Sequence, residues 1–154
     1  MSVIVRNYAI KIDRFLRDME EISDNECFYN NKENLMAGII DAVHAIADCY
    51  ERNKTKLDGT DKELVLAFCY LNNQLKHDKH LEVFSTPIYS AVFPTRFPFR
   101  LGATSCSLTW ADFEDHGKTW AEAKRDHYDK YLKQKDVEET LLKVKKVLDG
   151  VVKM

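Results

Sequence analysis

Residues 64–82 read LVLAFCYLNNQLKHDKHLE, and the fold of the chain turns on them. The stretch from Leu64 to Leu71 carries no charge, so a helix over that half must be enclosed by protein on every side. Asn72, Asn73, Lys76 and His77 then arrive, while Leu75 continues the apolar stripe. With about 100° of rotation per residue, Leu64, Phe68, Leu71 and Leu75 fall within about 60° of one another and face a core. Tyr70, Asn73 and His77 run down the far side. A buried helix that ends in polar groups needs partners for them, which makes this end the place to look for function. The pattern predicts that the helix stops near Asp78 to Leu81.

Upstream, residues 3–22 predict an amphipathic helix, with Val5, Tyr8, Ile12, Phe15, Met19 and Ile22 at three- and four-residue steps. Arg6, Lys11, Arg14, Arg17 and Asp18 take the opposite side. The following SDNECFYNN reads as a connector of turn and cap formers. Asn30 and Glu33 then resemble a capping pair for a second helix over about 32–53, striped by Leu35, Ile39, Val43, Ile46 and Tyr50. KTKLDGTD breaks it, and Thr60 with Glu63 has the spacing of a capping box for the central helix.

Downstream the period changes. Pro87, Pro94 and Pro98 all fall within 83–110; Ile88 and Val92 alternate with Tyr89, Ala91 and Phe93, and Cys106, Leu108 and Trp110 with Ser105, Ser107 and Thr109. Period-two alternation around proline-containing turns predicts a β-hairpin or a small sheet. Helical spacing resumes over 119–133, with Trp120, Tyr128, Tyr131 and Leu132. Asp136 and Glu139 cap a last helix over 137–153, whose stripe is Val137, Leu141, Val144, Leu148 and Val151. The expectation is a mainly α, single domain spanning 1–154: an antiparallel bundle of four or five helices with a β-hairpin inserted at about 83–110.

Composition narrows the function classes. A chain of 154 residues with 45% hydrophobic content is the size of one globular domain, and its net charge of −2 supplies no general attraction for nucleic acid. No apolar run approaches the roughly 18–20 residues of a membrane span, and Arg6, Lys11, Asp13 and Arg14 stand where a signal peptide would be apolar. Cys27, Cys49, Cys69 and Cys106 are too far apart for a metal knuckle and read as free thiols in a reducing, cytoplasmic setting. The five glycines are isolated, so no phosphate-cradling loop is present and no nucleotide cofactor is implied. His77 and His80 share a helical spacing but lack the further ligands that zinc requires, so no metal site is expected.

The remaining chemistry sits at Asn72, Asn73, Lys76 and His77. An imidazole exchanges protons near neutral pH, amides orient a phosphate or a ribose hydroxyl, and a lysine balances phosphate charge. These are the groups of metal-independent RNA cleavage; the alternative role of Asn73 and His77 is to hydrogen-bond a neighbouring element. A second unusual stretch, YSAVFPTRFPFRLG (89–102), brings Phe93, Phe97 and Phe99 together with Arg96 and Arg100, a combination able to stack on bases or to cover the central helix.

The segment NNQLKH (72–77), within a helical bundle, resembles the HEPN superfamily, whose motif is an arginine, a polar residue and a histidine four to six residues after the arginine. Asn73 matches the polar position and His77 the histidine, while Asn72 stands in the arginine position. The resemblance implies a helical bundle that commonly dimerises, with ribonuclease members in toxin, abortive-infection and CRISPR systems and other members that only bind. Asparagine carries no charge for a phosphate. The expectation is therefore a non-catalytic module of a bacterial or phage defence or toxin-type system that binds RNA or a protein partner such as an antitoxin. Asn72, Lys76, Arg96 and Arg100 are its expected binding residues. The alternative is an endoribonuclease in which His77 transfers the proton and Asn73 orients the substrate. A homodimer is expected as well, because Leu66 and Tyr70 leave apolar surface opposite the core unless the 83–110 region covers it.

Overall fold

The computed structural model describes residues 6–21, 25–78, 81–85, 108–114 and 125–153. The chain is mainly α. Its elements are α1 (Asn7–Glu21), α2 (Asn25–Asn53), a 3₁₀ turn (Lys54–Lys56), α3 (Gly59–His77), β1 (Phe84–Ser85), β2 (Thr109–Trp110), α4 (Arg125–Tyr131) and α5 (Val137–Val152). α2 packs on α1, α3 and α5, while α3 packs on α2, α4 and α5; α1 and α5 also touch. One contiguous apolar core results.

Among the described residues, α1, α2 and α5 bury the stripes that their sequences announce, while Val5, Ile22 and the 119–124 part of the expected fourth helix lie outside the described residues. Tyr8, Ile12, Phe15 and Met19 of α1 are buried, as are Leu35, Ile39, Val43, Ile46 and Tyr50 of α2. The Phe15 ring packs beside Gly38 of α2, where an added Cβ would lie 3.4 Å from its Cδ1, at the near edge of ordinary van der Waals contact. The stripe of α5, from Val137 to Val151, is buried throughout, and the Asp136 carboxylate caps its first turn by accepting from the Glu139 N–H at 2.8 Å. Three ties fasten α5 to α1: the Tyr8 hydroxyl donates to Asp149 Oδ1 at 2.6 Å, Arg6 pairs with Asp149 at 3.6 Å, and Lys145 pairs with Asp13 at 3.3 Å.

Two helix starts differ from expectation. α2 begins at Asn25, so residues 25–31 of the expected connector are helical and the Asn30/Glu33 pair lies inside the helix. No proline or glycine occurs between 25 and 37, and a helix once nucleated gains one backbone bond per residue added. α3 begins before Thr60. Gly59 turns the chain at φ +59°, a left-handed conformation that glycine adopts without steric cost, and the Lys62 N–H bonds the Asp58 carbonyl at 3.1 Å. Asp58 is thus the N-cap, although its side chain makes no capping bond. Glu63 serves another purpose: its Oε1 accepts from the Tyr131 hydroxyl at 2.6 Å and pairs with Lys130 at 3.6 Å, joining α3 to α4.

The ends of the 83–110 stretch meet. β1 and β2 pair antiparallel, with Phe84 opposite Trp110 and Ser85 opposite Thr109. Residues 86–107, which hold the three prolines together with Arg96 and Arg100, lie outside the described residues. The other edge of β2 is taken by the link between α4 and α5. The Trp110 N–H donates to the Lys135 carbonyl (3.0 Å), the Gln134 N–H to the Trp110 carbonyl (2.9 Å) and the Val137 N–H to the Leu108 carbonyl (2.8 Å). Gln134 reaches this arrangement at φ +61°. Leu108 and Trp110 point inward and Thr109 is half-buried, as the period-two pattern requires.

Candidate functional site at the end of the central helix

α3 is buried along most of its length. Leu64 to Phe68, Tyr70 and Leu71 are buried, Cys69 is half-buried, and burial continues without a break through Asn72, Asn73, Gln74 and Leu75. Lys76 and His77 are the first exposed residues after Asp61. The polar end therefore lies one turn later than the change from apolar to polar sequence suggests. Enclosure is decided by what packs around the helix, and α2, α4 and α5 all reach it.

The far side of α3 is covered from within the chain. Tyr70 is 0% exposed, stacks on Phe113 (centroids 6.4 Å apart, planes 7° apart) and meets Tyr128 of α4 at 6.0 Å. Phe113 and Tyr128 are in turn 4.8 Å apart, and the Tyr128 hydroxyl donates to the Ala111 carbonyl. Burial pushes the Tyr128 phenol well above its ordinary range. Leu66 is buried as well. Of the two residues on which the homodimer expectation rests, Tyr70 is thus covered by Phe113 and Tyr128 of the same chain.

Of the expected site residues, the helix places Asn72, Asn73, Lys76 and His77 on one contiguous face, spanning about 140°. Exposure divides them. Asn72 and Asn73 are 8% and 6% exposed, whereas Lys76 and His77 stand in solvent. The Asn72 Oδ1 is buried with no hydrogen-bond partner among the described residues, and the Tyr70 hydroxyl is in the same position. The helix stops just after His77: Asp78 turns to φ −136°, ψ 101°, with its N–H on the Gln74 carbonyl at 2.9 Å. Lys76 and His77 therefore sit in the last turn, where cationic side chains offset the negative end of the helix dipole. That dipole weakens the pull of the Lys76 ammonium on an incoming phosphate. Arg96 and Arg100 lie outside the described residues.

No group of three or more His, Cys, Asp or Glu suited to a metal ion occurs among the described residues. His44 is half-buried on α2. No helix of the described residues is long and apolar enough to cross a membrane.

No family model matches the chain, and no curated protein or solved structure matches it. What the site can do follows from this chain's own geometry.

A second polar cluster is not evident in the sequence. Arg125 pairs with Asp112 at 3.1 Å and with Asp129 at 3.4 Å, and its guanidinium lies 5.5 Å from the centre of the Phe113 ring. Lys133 also reaches Asp112, at 3.6 Å. Asp112, Phe113, Glu114 and Arg125 line an open depression of about 430 Å³ beside α4. The i,i+4 step from Arg125 to Asp129 is a local signal that spacing alone could supply. The link to Asp112 is not, because it depends on how residues 111–114 cross α4.

Proposed function

We propose that the chain is a non-catalytic binding module of HEPN-like type, with the exposed last turn of α3, Lys76 and His77, in its recognition surface, and that its partner is a protein. One observation carries this reading. Asn72 and Asn73, the two motif positions preceding the histidine, are buried beneath the surface on which His77 stands. General acid–base cleavage needs the proton-transfer group, an orienting group and a charge for the phosphate to converge on one accessible point. Here the orienting amides are enclosed, and the arginine position holds an uncharged Asn72 that could not neutralise a phosphate even if it were exposed. A net charge of −2 and a helix C-terminus beneath the Lys76 ammonium both favour a protein surface over an RNA backbone.

The same reading extends to the architecture. We take 83–110 as a β-hairpin closed at its base by the pairing of Phe84 with Trp110, inserted into an antiparallel bundle formed by α1, α2, α3 and α5, with α4 laid on α3.

The test is direct. Purified protein incubated with unstructured RNA in EDTA is expected to leave the RNA intact, and filter binding is expected to show no retention at moderate salt. Cleavage that disappears in His77→Ala, with the circular dichroism spectrum unchanged, overturns the non-catalytic reading. Retention without cleavage, lost in Lys76→Ala, overturns the choice of a protein partner while leaving the binding module intact.

A further inference from the structure

We draw no further inference here: the strongest candidate, the open depression beside α4 lined by Asp112, Phe113, Glu114 and Arg125, carries none because Arg125 is already paired with Asp112 and Asp129 and nothing in the structure shows what covers it.

Discussion

Two of the places where the core buries polar side chains treat them differently. Around Trp110 every group finds a partner. The indole N–H donates to Thr140 Oγ1 at 2.6 Å, and that hydroxyl in turn donates toward the Asp136 and Val137 carbonyls at 2.9 and 3.0 Å. The Trp110 ring stands edge-on to Phe68 of α3 at 5.5 Å. At the end of α3 the Tyr70 hydroxyl and the Asn72 carbonyl oxygen are equally buried, yet they lack hydrogen-bond partners among the described residues. A satisfied buried network rigidifies and specifies a core, whereas an unsatisfied group costs its desolvation. The first region therefore holds the fold together, and the second is tolerated by it.

Removing the centre of the satisfied region should have the largest effect. Trp110→Ala is expected to cost about 3–5 kcal/mol from the lost burial together with the cavity left behind, read as a fall in the denaturant midpoint. A loss below about 1 kcal/mol would show that β2 does not anchor α3 to α5. Thr140→Val keeps the shape but leaves the indole N–H buried without an acceptor, at an expected cost of about 1–3 kcal/mol. If Thr140→Val melts like the wild type, the bond adds nothing and the contrast between the two regions collapses.

Alkaline pH probes the aromatic ties on either side of the core. Burial, and then the bond to Asp149, pushes the Tyr8 phenol above its ordinary range; burial, with smaller pushes from the Asp112 and Asp129 carboxylates, does so for Tyr128. Both pKa values are higher folded than unfolded, so the stabilisation is complete below the unfolded value near pH 10 and is lost as pH rises beyond it. The expected slope is about 1.4 kcal/mol per pH unit for each tyrosine in that window, measured by urea unfolding at successive pH values. Tyr128→Phe should halve the combined slope, leaving the Tyr8 part. An unchanged slope in that variant would mean that Tyr128 ionises freely in the folded chain.

The smallest effect is expected at the unsatisfied region, with the opposite sign. Tyr70→Phe deletes a buried hydroxyl while keeping the ring on Phe113 and Tyr128, so stability should hold or rise by up to about 1 kcal/mol. A loss of more than about 1 kcal/mol would reveal a partner for that hydroxyl outside the described residues, and would bring the two regions under one rule.

The helical stripes are legible in the sequence because their period is a local property. Tyr8 to Met19, Leu35 to Tyr50 and Val137 to Val151 form stripes whose members are buried, and the Asp136 cap depends on a three-residue step. The start of α2 departs from its sequence signal because Asn and Asp favour turns only weakly, and a growing helix overrides them. The start of α3 departs because Gly59, at positive φ, sets the turn ahead of Thr60.

By itself, then, the sequence determined the mainly α character of the chain, the inward faces of α1, α2, α3 and α5, and the alternation that turns Leu108 and Trp110 into the core. Each follows from periodicity and from the gain in removing apolar surface from water. Only the tertiary structure decided that Asn72 and Asn73 lie inside while Lys76 and His77 lie outside, and that Glu63 meets Tyr131 instead of capping its own helix. It alone laid Phe113 and Tyr128 over Tyr70. Those outcomes depend on which distant segments arrive at a given helix face, and a rule built on spacing within one helix contains no term for that.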